Sequence, residues 1–142
     1  RNIPPLKYDY VYKLKQDFPE LEIIINGGIK NIHDSLSHLE KVDGVMIGRA
    51  AYDNPFMLRD IETKFYKTNT SINSKKEILN LYLEYVEKQM LNGHSLNRMM
   101  KHLFGLSRGD KYAKTFRTKI LEIIKNNNLK NNKKELEKLL VY

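Results

Sequence analysis

The hydrophobic pattern at the start of the chain changes from helical spacing to strand-like spacing. Val11, Leu14 and Phe18 recur every three or four positions, which predicts a helix over residues 8–18 with these side chains inward. The run EIIIN that follows is apolar and rich in β-branched residues. It predicts a short strand that is buried on both of its faces.

A second helix and a second strand follow the glycine pair of NGGI. Ile32, Leu36 and Leu39 share one side of the predicted helix, VDGVMIG predicts another buried strand, and a third helix follows it. Strands that alternate with helices pair in parallel through right-handed crossovers. A parallel pair needs cover on both faces and both edges. We therefore expect this segment to be the end of a larger α/β sheet or barrel whose earlier strands precede Arg1.

The remainder of the chain has helical spacing throughout. Residues 67–74 are polar and without periodicity, which predicts a linker between residues 1–66 and a small helical bundle over residues 75–142. Ser74 and Glu77 have the spacing of a capping box at the first helix of this bundle. Its predicted core positions lie on one side of each helix: Ile78, Leu79, Tyr82, Leu83, Val86, Met90, Leu96, Met99, Met100, Leu103, Ala113, Phe116, Ile120 and Ile123.

Composition narrows the possible chemistry. The chain has no cysteine, which excludes disulfides, thiolate metal sites and cysteine-based catalysis within these residues and is compatible with an intracellular, cytoplasmic setting. No apolar run approaches the ~18 residues of a membrane span. His33 and His38 lie five positions apart on the side of the predicted helix that we expect to be exposed, which is poor metal geometry, so no metal site is predicted.

Each predicted strand ends in glycine where a helix begins. Glycine lets backbone N–H groups approach an anion, and a helix N-terminus adds partial positive charge. Gly27 and Gly28 alone favour a simple tight turn, but Gly48 and Arg49 repeat the arrangement at the next strand end. Two successive units of this kind match the phosphate site of (β/α)₈ barrels. The sequence therefore predicts a phosphate-bearing ligand, with Asn26 orienting the loop or contacting that ligand.

Positive charge is concentrated in the helical part. Residues 1–60 carry 8 Lys and Arg against 9 Asp and Glu, whereas residues 61–142 carry 17 against 8. Basic residues recur at helical spacing opposite the apolar stripes, which favours RNA binding over a merely solubilising face. Residues 90–119 hold one acid, Asp110, and seven basic residues: Arg98, Lys101, Arg108, Lys111, Lys114, Arg117 and Lys119.

Together these residues resemble the tRNA-dihydrouridine synthases. The blocks NGGI and DGVMIGRAAYDNP resemble the end of the catalytic TIM barrel of this family, and KHLFGLSRGDKYAKTFRTKILE resembles the helical domain of its D-loop 20/20a subfamily. The resemblance covers about residues 1–125. It implies an FMN-dependent enzyme that uses NADPH to reduce the C5–C6 bond of uridine in tRNA, with Asn26, Gly27, Gly28, Gly48 and Arg49 holding the FMN phosphate.

The resemblance also bears on catalysis and on tRNA contacts. The family's general-acid cysteine and its flavin-side lysine and histidine lie on earlier strands, so no catalytic residue is expected in this chain, and we expect the chain to be inactive alone. Lys114 and Arg117, with Arg1 from the barrel side, match positions that contact tRNA. Lys114 and Lys101 replace arginines usual in the family, which removes bidentate contacts but keeps the charge. A stand-alone RNA-binding module and another FMN-dependent barrel oxidoreductase remain as alternatives.

Overall fold

The computed structural model describes residues 5–67 and 74–140. The chain is mostly helical with two short parallel strands, and it divides into two compact units, Arg1–Ala51 and Tyr52–Tyr142. A π-helical turn, Glu62–Tyr66, follows the helix Met57–Ile61. A 3₁₀ turn, Lys101–Gly105, follows the helix Leu96–Met100. The other elements are α1 (Tyr8–Asp17), β1 (Ile24–Asn26), α2 (Ile32–Leu39), β2 (Gly44–Met46), α3 (Arg49–Asp53), α4 (Met57–Ile61), α5 (Lys75–Leu91), α6 (Leu96–Met100), α7 (Ala113–Asn126) and α8 (Lys133–Lys138).

The two strands of the first unit pair in parallel, as the alternation of helices and strands predicts. The register sets Ile24 opposite Gly44 and Asn26 opposite Met46. The small core beneath the sheet contains three buried apolar residues, Ile25, Ile29 and Val42. The larger barrel that we expected around this pair is not visible in the described residues.

The predicted burial of the first unit is corrected at four elements. β2, which the sequence predicts as a buried strand, has no fully buried residue, and its Met46 side chain is 46% exposed. β1 buries Ile25 but leaves Ile24 59% exposed, so it is covered on one face, not on both. On α1, Leu14 and Phe18 are exposed although their spacing predicts an inner face. On α2 the predicted inner residue Leu36 is exposed. These five side chains are 39–59% exposed.

The inner face of α2 is formed by Ser35 and His38, which are both buried. The sequence pattern predicts His38 on the exposed side of the helix, and this prediction is wrong. The His38 Nδ1 lies 2.7 Å from the hydroxyl of Tyr12, and its ring makes an edge contact with Tyr8 at 4.6 Å between centroids. Burial, assisted by the nearby Asp9 carboxylate, raises the pKa of Tyr12. The histidine is thus a packed and hydrogen-bonded core residue.

Asp43 joins α1 to the sheet. Its Oδ2 accepts a hydrogen bond from the backbone N–H of Ile23 at 2.8 Å and pairs with the Lys15 ammonium at 2.8 Å. The hydrogen bond from Lys15, followed by that from Ile23, holds the pKa of the Asp43 carboxyl below its ordinary value. These contacts make Asp43 a structural residue of the first unit.

Asp43→Asn is expected to destabilise the first unit at neutral pH and to matter less in acid. A depressed pKa contributes stability that is fully present above the ordinary value of 3.8 and is lost as the pH falls through the lower folded-state pKa. Urea unfolding should therefore show a gap between the two proteins at about pH 7 that closes towards about pH 2. Asp17→Asn, which alters an exposed ion pair with Lys13, is the matched control. A gap that stays constant over this range would contradict the assignment.

The second unit is a helical bundle with a complete core. The apolar stripes read from the sequence are confirmed for α5, α6 and α7, and α5 and α7 each pack against both α6 and α8. The buried residues are Leu79, Leu83, Val86, Leu96, Met99, Met100, Leu103, Leu106, Phe116, Ile120, Ile123, Leu129, Leu136 and Leu140. The predicted capping box is also present, since Ser74 and Glu77 exchange hydrogen bonds at 3.0 and 3.2 Å.

A buried ion pair joins the start of α5 to the segment before α7. The Lys75 ammonium lies 2.7 Å from Oδ1 of Asp110, with side-chain exposures of 9% and 8%, and it also donates to the carbonyl of Arg108 at 2.9 Å. The other carboxylate oxygen of Asp110 has no hydrogen-bond partner among the described residues. The two residues are 35 positions apart, so the pair ties distant parts of the bundle together.

Residues 52–66 group with the helical bundle. The Tyr52 ring makes an edge contact with His102 at 5.7 Å, and the Asp53 carboxylate lies 3.9 Å from the Arg108 guanidinium. The predicted division places these residues with the barrel end instead, and most of the predicted linker lies outside the described residues. The boundaries 1–66, 67–74 and 75–142 stay predictions.

Candidate phosphate loops and basic helical surface

The glycine pair that follows β1 has a backbone conformation that favours glycine. Gly27 has φ +120° and Gly28 has φ +64°, both in the left-handed region. A Cβ atom on Gly27 would lie 3.2 Å from the Leu6 side chain, and one on Gly28 would lie 2.9 Å from it. Glycine is therefore favoured here by backbone conformation, whether or not a ligand binds, and a larger residue would also require the Leu6 side chain to shift.

Tyr8 holds this glycine turn in place. Its hydroxyl donates to the carbonyl of Gly27 at 2.6 Å, across 19 positions of sequence. Because this carbonyl oxygen is engaged by Tyr8, the adjoining peptide is fixed in orientation. Sequence reasoning did not identify Tyr8 as part of this site. No local signal could have done so, since the contact depends on how α1 packs against the sheet.

The two glycine-containing loops leave the same edge of the sheet. Asn26 and Met46 are paired in the parallel register, so Gly27–Gly28 and Gly48–Arg49 follow strand residues at the same level. Asn26, Gly28, Gly48 and Arg49 are all exposed. Arg49 has no ion pair among the described residues, and a Cβ on Gly48 would meet only the Met46 sulfur, at 3.8 Å. The edge thus presents backbone groups and one free guanidinium together.

The N-terminus of α2 is occupied by its own side chains. Asn31 accepts from the backbone N–H of Asp34 at 2.8 Å, and the Asp34 carboxylate accepts from the backbone N–H of Lys30 at 3.3 Å. A negatively charged side chain therefore already lies at this helix end. The general pattern of glycine before a helix predicts that the N-terminus of α2 contributes to anion binding. Because Asp34 occupies that end, anion binding at this edge depends instead on the glycine backbone and Arg49.

The basic residues predicted to bind tRNA lie on neighbouring elements of the bundle. α6 and the 3₁₀ turn that follows it both pack against α7. All five described members of the set are exposed, and Arg1 lies outside the described residues. Arg98 is on α6, Lys101 opens the 3₁₀ turn, Arg108 follows that turn, and Lys114 and Arg117 are on α7.

These side chains differ in how far they are neutralised by acids. Arg98, Lys101, Lys114 and Arg117 form no ion pair with a described residue, whereas Arg108 approaches Asp53 at 3.9 Å. Lys119, also in the basic run, is bound to Glu135 at 2.6 Å, and that contact raises the pKa of its ammonium. Four of the six predicted residues therefore keep a free positive charge for a polyanion.

The described residues contain no cluster of three or more His, Cys, Asp or Glu side chains that could hold a metal ion. Nor does this part of the chain include a helix with the length and apolar character needed to cross a membrane. The chain has no cysteine.

A comparison with protein families decides which class of protein carries these two surfaces. The family described as dihydrouridine synthase (Dus) matches residues 1–141. The chain belongs to the dihydrouridine synthase family. The match spans both compact units, so the glycine loops and the basic helices of this dihydrouridine synthase chain fall within one family pattern.

Individual curated relatives belong to the same family and carry a more specific name. The chain is 41% identical over 117 residues to the tRNA-dihydrouridine(20/20a) synthase of Pseudomonas putida and 43% identical over 122 residues to that of Haemophilus ducreyi. The protein of this name from Synechocystis sp. is 44% identical over 117 residues. These alignments cover 82–86% of the dihydrouridine synthase chain but only 35–38% of each relative. The chain therefore spans little more than a third of the length of these relatives.

Proposed function

We propose that this chain is the C-terminal part of an FMN-dependent tRNA-dihydrouridine synthase, which reduces uridine to 5,6-dihydrouridine in the tRNA D-loop with NADPH. The observation that carries this proposal is the match of the dihydrouridine synthase family to residues 1–141. Within that match, two glycine-containing loops begin at the same edge of the parallel sheet. The names of its relatives, tRNA-dihydrouridine(20/20a) synthases, support tRNA as the substrate.

The first unit is proposed to be the last two β/α units of a TIM barrel. Its parallel strands and its exposed apolar residues, Ile24, Leu36 and Met46 among them, support this assignment. Apolar side chains on sheet and helix faces are stabilised when a further layer covers them. The rest of the barrel would supply that layer.

The residues at the sheet edge fit a phosphate-bearing cofactor. Gly28 and Gly48 leave their backbone accessible, and Arg49 offers a guanidinium that no described acid neutralises. Asn26, Gly27, Gly28, Gly48 and Arg49 would hold the FMN phosphate through backbone N–H groups and one bidentate contact. The chemistry that FMN supplies when bound is hydride transfer to the uracil double bond. The contribution of these residues is to hold and orient the cofactor.

The bundle is proposed to bind tRNA through its free cations. Arg98, Lys101, Arg108, Lys114 and Arg117 are the proposed contacts in the described residues, and Arg1 is a sixth. None of these groups has a role in proton transfer to the base. Since the chain has no cysteine, the proposed general acid would come from elsewhere in the full-length enzyme.

Arg117→Ala in the full-length enzyme is expected to weaken tRNA binding and to reduce the slope of log K against log salt by about one. Arg117 is exposed on α7 without an ion pair, so it can neutralise a phosphate and release a counterion. Filter binding of unmodified tRNA at several salt concentrations measures the slope.

Lys125→Ala is the matched control for this measurement, because Lys125 is an exposed cation in the last turn of the same helix. The control should leave the slope unchanged. If Arg117→Ala and Lys125→Ala have the same slope as the unmodified protein, Arg117 does not contact phosphate and the tRNA-binding face has been placed wrongly.

A stand-alone RNA-binding module is the second candidate. It is favoured by one observation, the continuous core that the helical bundle forms from its own helices. The flavin absorbance bands of the purified full-length protein separate the two candidates. A protein that binds tRNA but never carries flavin would be the module.

A further inference from the structure

A cavity of about 370 Å³ lies on the bundle between α5 and the turn that leads into α6. Its lining combines an aromatic ring, an imidazole, a hydroxyl and a guanidinium, and it contains no acidic side chain. The lining residues are Tyr85, Gly93, His94, Ser95, Arg98 and Met99. A volume of this size falls within the range of small-ligand sites.

The aromatic wall of the cavity is fixed in place. Tyr85 is 50% exposed, and its ring lies 5.8 Å from the ring of Tyr82 on the same helix. Tyr82 donates its hydroxyl to the carbonyl of Met99 at 3.0 Å. Burial, and then the neighbouring Tyr85 and Tyr52 hydroxyls, raise the pKa of Tyr82, which keeps this donor protonated. The Tyr85 ring thus lies beside a hydrogen-bonded neighbour and stays half exposed.

The polar wall of the cavity is free to bind a ligand. Arg98 forms no ion pair with a described residue, and the Ser95 side chain makes no capping hydrogen bond although Ser95 precedes α6. The turn itself closes the end of α5: Gly93 has φ +82°, and the backbone N–H groups of Gly93 and His94 donate to the carbonyls of Met90 and Gln89. These polar groups face the same space as the open ring.

An exposed ring beside a free guanidinium is the arrangement that binds unstacked nucleotides, with the base on the ring and the phosphate on the cation. We propose that this cavity binds one unstacked nucleotide of RNA, with its base against Tyr85 and its phosphate on Arg98. The site is separate from the residues assigned above to the flavin. The proposal rests on the proposed tRNA-binding function of the bundle, and it adds a base contact to what are otherwise phosphate contacts.

RNA, not a free nucleotide, is the ligand that the surroundings favour. Residues 61–142 carry 17 Lys and Arg against 8 Asp and Glu, so a polyanion is held more strongly than a single phosphate. A second cavity of about 390 Å³ adjoins the same turn, but its lining has no Lys, Arg, Tyr or Phe. That second cavity therefore lacks both parts of a nucleotide site.

The first test is an NMR titration of the 142-residue chain with uridine 5′-monophosphate, inorganic phosphate and an oligouridylate of about eight nucleotides. The oligouridylate is expected to shift the ring signals of Tyr85 and the side-chain signals of His94 and Arg98, and to bind more tightly than the mononucleotide. Inorganic phosphate should leave the Tyr85 ring unchanged. Equal shifts with inorganic phosphate would reduce the site to an anion site and overturn the proposal. Equal affinity for the mononucleotide would overturn the assignment to RNA.

The second test is a set of variants measured against the same oligouridylate. Tyr85→Ala should weaken binding at least about fivefold, the lower end of base-stacking effects, whereas Tyr85→Phe keeps the ring and should bind normally. Tyr66→Ala removes a tyrosine that is 73% exposed and outside the cavity, and should have no effect. Normal binding by Tyr85→Ala would overturn the proposal. If that variant fails to fold, the titration above still decides.

Failure of this proposal and failure of the proposed function give different results. If the full-length enzyme forms dihydrouridine and the Tyr85→Ala variant binds RNA normally, only the nucleotide site is overturned. Weakened binding by Tyr85→Ala in a protein that forms no dihydrouridine supports the nucleotide site and overturns the proposed reaction.

Discussion

Asp110→Ala is expected to lower the free energy of unfolding of the helical bundle by about 3–5 kcal/mol. The substitution removes the partner of the Lys75 ammonium, which is held at 2.7 Å from the carboxylate in a site where both side chains are less than a tenth exposed. Among the described residues, the ammonium would then keep the carbonyl of Arg108 at 2.9 Å and the Phe56 ring, whose centroid lies 5.8 Å away. A buried charge without its counter-ion is among the costliest single defects in a folded protein.

Denaturant unfolding followed by far-UV circular dichroism measures this loss. The matched comparison is the double variant Lys75→Met with Asp110→Leu, which removes both charges together. It should unfold much closer to the unmodified protein than Asp110→Ala does, because no charge is left unpaired. A loss below about 1 kcal/mol for Asp110→Ala would indicate an ion pair that water reaches, contrary to the burial described here.

Gly105→Ala is expected to destabilise the bundle by about 3 kcal/mol, near the upper end of the usual range for overpacking. A Cβ at this position would collide with the backbone carbonyl of Tyr52 and lie 2.9 Å from the carbonyl carbon and oxygen of Asp53. These contacts are with backbone, so no side chain can rotate away to make room. The 3₁₀ turn would have to separate from the segment that begins at Tyr52.

Gly109→Ala is the matched control for this prediction. Gly109 has φ +82° with nothing within 4 Å of an added Cβ, so its substitution carries only a conformational cost of about 1–2 kcal/mol. Thermal unfolding of both variants should rank Gly105→Ala as the less stable. In addition, Gly105→Ala should disturb the NMR signals of Tyr52 and His102, which are in edge contact. The opposite ranking would show that the close approach at Gly105 is not tightly packed.

The bundle could be predicted from sequence because its core is made within the chain. Leu79, Leu83 and Val86 fall on one helical stripe and are buried as predicted, and so are Phe116 and Ile120. Helical periodicity reports the face of a helix that meets other helices, and here those helices are present. The capping box at Ser74 could be read for the same reason, since its two partners are three positions apart.

The first unit could be predicted in its element order and strand direction, but not in its burial. Leu14, Leu36 and Ile24 have the spacing of inward residues and are nevertheless exposed. Periodicity records which positions are apolar, whereas burial depends on which other elements are there to cover them. His38 shows the converse, since a polar residue became buried through hydrogen bonding with Tyr12.

Contacts between distant residues could not be read from sequence. Lys75 and Asp110 are 35 positions apart, and neither has a local pattern that marks it as part of a buried pair. Tyr85 was not distinguished from the other tyrosines, because its role depends on the turn at Gly93–Ser95 that faces it. The glycines after each strand were identified as a site from the sequence, but their shared edge required the register of the strands.

The most direct test of the proposed reaction is mass spectrometry of tRNA that lacks dihydrouridine, after incubation with NADPH and the full-length enzyme. We predict two added hydrogens at a D-loop uridine for the full-length protein loaded with FMN. We predict none for the 142-residue chain, which has no cysteine to act as the general acid. Dihydrouridine formed by the 142-residue chain, or none formed by the flavin-loaded full-length protein, would contradict the proposed function.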